Sequence, residues 1–297
     1  MCPVDRGRHG ASGSREHGHD LPNGPSRPVT TTEVGGLRCV TVRRGEVEID
    51  VAVDAGPRLM GLRRADGPDL FAVLPGATLA WPGGGTFRFH GGHRLWRAPE
   101  DPAVTYAPDD DPVSIEETTD GVVVTGPPGP DQLVASVAIT VGDEITVDHE
   151  LRNDGTEPAR MAAWAITQLR PGGVARLPLR SPGDHDVQAD RSVVLWPYTR
   201  FDDEGWHLTD DEVVVRPTDH PLKVGVGGPG ALSYELDGWT FTKRIAPDTG
   251  ELADHGARRQ CYADDRFVEL ETLGPIVTVA PGDAVTHREV WTLGRAS

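Results

Sequence analysis

In Glu46-Val47-Glu48-Ile49-Asp50-Val51-Ala52-Val53-Asp54 every odd position is apolar and every even one polar or small. A period of two is that of a β-strand with one buried and one wetted face, and such strands belong to antiparallel sheets. Punctuation extends the constraint to the whole chain. With 36 glycines and 26 prolines among 297 residues, there is little room for long helices and much for short strands joined by turns.

Ala55-Gly56-Pro57 turns the chain into Arg58-Leu59-Met60-Gly61-Leu62-Arg63, and Asp66-Gly67 turns it again before Leu70-Phe71-Ala72-Val73. Residues 37–73 therefore predict a β-meander. Residues 75–112, rich in Pro, Gly and aromatics, predict a loop region. Strands are predicted at 121–125, 133–141 and 144–152. Residues 159–170 have a helix-compatible composition but lie between Pro158 and Pro171-Gly172-Gly173, which favours another strand. Short strands follow at 174–179, 192–198, 212–216, 222–226, 231–236 and 239–244, then at 267–273, 276–279 and 284–293. No linker divides them. The reading is an all-β, large antiparallel β-sandwich over 31–297, preceded by a disordered tail at 1–30 that has no apolar period.

A net charge of −17 argues against nucleic acid, for which a basic patch supplies most of the affinity. Three distant cysteines without a C-x-x-C pair indicate neither a zinc knuckle nor a disulfide framework. No apolar run is long enough to span a bilayer and no secretion signal is present, so a cytoplasmic location is the default expectation. Gly225-Val226-Gly227-Gly228-Pro229-Gly230 matches G-x-G-x-x-G literally. Pro229 and the strand-like residues after it make this a turn, not a phosphate site, and no cofactor is indicated.

The chemistry-bearing residues concentrate in Phe87-Arg88-Phe89-His90-Gly91-Gly92-His93-Arg94-Leu95-Trp96-Arg97-Ala98-Pro99-Glu100. Two imidazoles flank glycines that let a substrate approach closely. A metal reading would need a third ligand from Glu100, Asp184, His185 or Asp186, and the plainer alternative is a histidine capping a turn; no metal is assigned. In Phe267-Val268-Glu269-Leu270-Glu271-Thr272-Leu273, a strand puts Glu269 and Glu271 on one face, where mutual repulsion would raise the pKa of one. An ordinary solvated face is the competing account. His149, on an apolar face, reads as a satisfied core histidine. Lys223 and Lys243 could reach a cleft or snorkel from an edge. Trp164, Trp196 and Trp206 could stack on a ring or fill the core.

Gly91 to Glu100, Leu195-Trp196-Pro197-Tyr198, and 267–275 with Pro281-Gly282 and Glu289-Val290-Trp291 together resemble the galactose mutarotase-like (aldose 1-epimerase) superfamily. The nearest likeness is to a bacterial branch with a Gly-Gly-His-Arg-Leu-Trp-x-Ala-Pro-Glu motif, and it spans about 36–294. It implies a β-sandwich with a sugar-binding cleft on its concave sheet, and a small-molecule sugar as partner. In that superfamily a late-strand glutamate is the base of mutarotation, and Glu271 looks like its counterpart. His90-Gly91-Gly92 matches the substrate-binding His-Gly-Gly motif, while the branch pattern highlights His93. The acid is ordinarily a histidine in Asn-His-x-Tyr-Phe, but residues 163–169 here contain none.

The expectation is therefore a mutarotase-like isomerase with Glu271 as base and His93 as acid. His90, Arg94, Trp96, Glu269 and Arg58 would hold the sugar. A non-catalytic sugar-binding module, or a lyase or glycosidase on the same fold, remains the alternative.

Overall fold

A computed structural model describes residues 30–179 and 191–296. The strand-forming segments pair into two large antiparallel sheets. The larger runs, edge to edge, through Thr30–Val34, Leu37–Arg44, Val47–Ala52, Arg58–Arg64, His93–Ala98, Ala159–Leu169, Val268–Leu273, Arg259–Ala263, Leu222–Val226 and Val193–Leu195. The second is centred on Trp239–Ile245, Ala284–Arg295 and Ile145–Asn153. The meander is present over 37–64, and the strand at 159–170 and the all-β sandwich itself are present as the sequence indicates. Leu70–Val73 does not continue the meander, because Phe71 bridges to Leu169 and Val73 opens a separate hairpin. The expected tail lies outside the described residues except for Thr30, which opens the first strand. Asp184, His185 and Asp186 also lie outside them.

The apolar faces of both sheets meet in one core, where Phe71, Phe241 and Trp291 pack edge to face with centroids 5.3–6.3 Å apart. The alternation of 46–54 puts Val47, Ile49 and Val51 in that core as expected, but the opposite face is not wetted throughout, since Asp50 and Ala52 are buried too. Ala159–Leu169 is buried on both faces from Met161 onward. Its dense small and apolar composition therefore suits a central strand, although the same composition is compatible with a helix.

Residues 75–112 depart from the loop expectation. They contain a hairpin, Val73–Ala80 with Thr86–Gly91, followed by His93–Ala98 as an interior strand of the large sheet. Two glycines make the change of direction possible. Gly91 and Gly92 have φ of +101° and +73°, and a Cβ on either would stand 2.0 Å from a backbone oxygen, of Ala72 or Leu59. Only glycine combines that conformation with that approach. The second glycine-rich stretch is a turn: Leu222–Val226 ends there and Gly230–Leu236 begins.

Candidate functional site

His93–Ala98 divides the sequence motif between two faces. His93 and Leu95 point between the sheets, whereas Arg94 and Trp96 point out from the large sheet's other face. Register then aligns partners across the strands. Ile166 stands opposite Arg94 on one side and Glu271 on the other, and Trp164 opposite Trp96 and Leu273. Tyr262 pairs with Glu269 and with Lys223. One outward face thus gathers Arg94, Trp96, Trp164, Ile166, Gln168, Glu269, Glu271, Tyr262 and Lys223.

A cleft of about 270 Å³ opens on this face. Trp96, Trp164, Trp196, Tyr106, Tyr198, Tyr262, Phe89 and Phe267 form its aromatic walls, with Arg94, Lys223, Arg266, Glu100 and Glu269 among them. Its size lies near the lower end of the roughly 300–1,000 Å³ typical of small-molecule sites, which suits a single ring better than a chain of them.

Its charges are tightly arranged. Glu269 accepts from Arg94 Nη2 at 3.1 Å and from Gln168 Nε2 at 2.9 Å through the same oxygen, Oε1. Arg94 is buried, its guanidinium 4.1 Å from the Trp96 ring, and its Nε and Nη1 have no hydrogen-bond partner among the described residues. Burial holds the Arg94 pKa below the usual arginine value. Glu271 is fully buried behind Lys223 and Trp164. Its Oε2 accepts from Trp164 Nε1 at 2.7 Å and from Lys223 Nζ at 2.8 Å, and its Oε1 has no hydrogen-bond partner among the described residues. Burial raises the Glu271 pKa; the Lys223 ammonium opposes that rise and the Glu269 carboxylate adds to it. Repulsion between the carboxylates, the cause anticipated from sequence, is thus a secondary contribution after burial.

His93 is placed elsewhere. It is fully buried between the sheets, with Nδ1 2.9 Å from Thr167 Oγ1 and Nε2 2.8 Å from His149 Nε2. Proton positions follow from the ends of this chain. His149 Nδ1 donates to the His287 carbonyl at 2.9 Å, so in the neutral ring its Nε2 must accept. His93 Nε2 is then the donor and its Nδ1 accepts from Thr167, which in turn accepts from Lys243 Nζ at 3.1 Å. Burial and the nearby cations keep the pKa of His93 well below the ordinary value. Both ring nitrogens are engaged in the interior, and the ring stays neutral.

The network continues through a fully buried ion pair, Lys243 Nζ to Glu289 Oε1 at 2.8 Å. Glu289 also accepts from Trp291 Nε1 at 2.7 Å and from Thr272 Oγ1. His93, His149 and Glu289 are close enough to hold a metal ion, but the Lys243 ammonium already supplies the cation there.

Of the anticipated site residues, Arg94, Trp96 and Glu269 line the cleft and Glu271 lies directly behind its wall. Arg58 shares that face but is covered. Its Nη1 donates to the Phe89 and Gly91 carbonyls at 3.0 and 2.9 Å and its Nη2 to Asp109 at 2.7 Å, so it fastens the hairpin to the sheet. His90, on the same hairpin, has its Nε2 2.6 Å from Asp110 Oδ1 in the segment that follows, and does not line the cleft. His149 is the satisfied core histidine expected. Neither lysine snorkels from an edge: Lys223 reaches the cleft and Lys243 is sealed in the core. Trp164 and Trp196 line the cleft, while Trp206 packs against the core. Tyr106, Tyr262 and Arg266 were not anticipated. For Tyr262 a signal existed, since alternation in Arg259–Ala263 sets it opposite the buried Cys261 and Ala263.

No family model matches the chain, and no curated protein does. Solved structures do. A TPR-domain containing protein from Parabacteroides distasonis superposes with a TM-score of 0.57 at 14% identity over 86% of this chain, which spans only 47% of that protein. A candidate aldose 1-epimerase from Escherichia coli K12 matches with a TM-score of 0.52 at 14% identity, covering 86% of this chain and 99% of its own. A galactose mutarotase-like protein from Lactobacillus casei gives 0.52 at 13% identity, covering 86% and 100%. The chain has the galactose mutarotase-like fold. At such identities the likeness defines architecture, and function must be argued from the site.

Proposed function

We propose that the protein binds a monosaccharide in this cleft and interconverts its anomers, with Glu271 as the base. The observation that carries the reading is the state of Glu271. It is a buried carboxylate of raised pKa, fixed through one oxygen and without a partner among the described residues at the other, directly behind the Lys223 and Trp164 wall of an aromatic-lined cleft. A base gains strength from a raised pKa, and tryptophan and tyrosine faces suit the apolar faces of a sugar ring. Arg94, with two unsatisfied donors, and Glu269 would hold ring hydroxyls.

A second reading, binding without turnover, draws support from the complete burial of Glu271 behind Lys223 and Trp164. NMR magnetisation exchange between the anomers of glucose, galactose, mannose and xylose separates the two. Exchange faster than the spontaneous rate, lost in Glu271→Gln, supports the enzyme. Saturable binding with no acceleration supports the binding module.

A further inference from the structure

Opening a sugar ring needs a proton for the ring oxygen as well as a base for the anomeric hydroxyl. No histidine lines the cleft among the described residues. Building on the proposed function, we infer that Lys223 is the proton donor to the ring oxygen of a free aldose.

Composition makes this lysine unusual. Only two of the 29 Lys and Arg residues are lysines, Lys223 and Lys243, and both are buried against a buried glutamate. Everywhere else the chain uses arginine. Lysine differs from arginine in being a compact ammonium that can release a proton; the guanidinium cannot. Lys243 is accounted for by the core, where it meets Glu289, Thr167 Oγ1 and the Leu270 carbonyl within 2.8–3.1 Å. Lys223 has no such setting. Its Nζ lies 2.8 Å from Glu271 Oε2 and 4.8 and 4.7 Å from the Trp164 and Trp196 rings, at the wall of the cleft. A nearly buried ion pair gives a fold little that apolar side chains could not, so its position at a cleft calls for a chemical role.

Other cleft groups suit the task less well. Arg94 and Arg266 do not release protons, and the hydroxyls of Tyr106 and Tyr262 already donate to Glu100 and Asp264. Tyr198 also lines the cleft, but burial and then the Glu271 carboxylate hold its hydroxyl above the ordinary tyrosine pKa, which makes it a poorer acid than a free tyrosine.

The step balances. Glu271 takes the proton of the anomeric hydroxyl while Lys223 Nζ gives one to the ring oxygen. The bond from C1 to the ring oxygen breaks, its electron pair stays on oxygen, and C1 becomes an aldehyde. Rotation about C1–C2 presents the other carbonyl face. The reverse transfers close the ring as the opposite anomer and restore the ammonium and the carboxylate.

The test measures anomer exchange in the full chain with the same four aldoses, for wild type, Lys223→Met and Lys223→Arg, alongside circular dichroism and tryptophan-fluorescence binding. Lys223→Arg keeps the charge beside Glu271 but removes the releasable proton. It is expected to fold and to bind sugar within a few-fold of wild type, yet to lose about 10²–10⁴-fold in kcat, as Lys223→Met should. Should the variants fold poorly, lysine acetylation of the wild type, mapped by mass spectrometry, offers a second route. Lys243 is sealed, so modification of Lys223 should track loss of exchange and be blocked by sugar. Exchange within threefold of wild type in either folded variant, or after Lys223 acetylation, overturns the role of Lys223 and leaves the proposed activity standing. A wild type that accelerates none of the four sugars overturns the activity and the donor together.

Discussion

At the scale of single residues, the proposed activity divides the cleft into groups that would hold a sugar and groups that would move its protons. Trp196 lines the cleft but is only half-buried, so Trp196→Ala should cost little stability. It should weaken monosaccharide binding about tenfold, roughly 1.4 kcal/mol, as read by fluorescence or calorimetric titration. Unchanged affinity would remove it from the site. Glu269 and Glu271 should differ in kind. Glu269→Gln keeps the shape of the contact with Arg94 but loses its charge, and is expected to raise KM more than it lowers kcat. Glu271→Gln is expected to lower kcat about 10²–10⁴-fold. Equal effects of the two changes on kcat and KM would argue against this division of roles.

At the scale of elements, the strand Val268–Leu273 is fastened from behind. It presents Glu269 to the cleft and sets Glu271 behind the cleft wall, while Lys243 Nζ donates to its Leu270 carbonyl at 3.1 Å and Thr272 joins the Glu289 cluster. Replacing Lys243 by Met leaves Glu289 buried without its cation and should destabilise the fold by about 3–5 kcal/mol. The double change Lys243→Met with Glu289→Leu should recover part of that loss in chemical denaturation; a double variant less stable than the single one would contradict the assignment. The Gly91-Gly92 junction is the other structural fastening. Gly92→Ala forces a side chain into positive φ and against the Leu59 carbonyl, so a loss above about 2 kcal/mol is expected. A melting temperature equal to wild type would show that the junction can shift.

At the scale of the whole molecule, the core carries a histidine cluster that ties stability to pH. Burial lowers the pKa of His93 and His149, and that of His287 from 6.5 to about 3. Below pH 6.5 the unfolded chain binds protons that these folded rings refuse. Their contribution is therefore complete above pH 6.5 and is lost as the pH falls from there toward the folded values. Asp69, raised to about 6 by burial, and Glu271, also raised by burial, act in the opposite sense, as two groups against three. Thermal midpoints measured from pH 7.5 to 5 should decline, and a flat or rising profile would show that the cluster is not held neutral.

The period-two alternation of 46–54, the glycine and proline spacing and the parity of Glu269 and Glu271 were sufficient to define an all-β sandwich and to place two carboxylates on one face. These are local properties, set by the geometry of a strand and legible wherever a strand is recognised. The motif around His93 was recognised but read as a loop, so its alternation went unused; as a strand, it sends His93 inward and Arg94 outward. Only pairing between strands far apart in sequence decided the rest. Register brought Arg94, Glu271 and Lys223, separated by up to 177 positions, to one cleft, and packing of the second sheet sealed His93 behind it. Sequence determines which way each side chain points along its own strand. Which distant side chains it meets depends on register and burial, which exist only once the sheets have assembled.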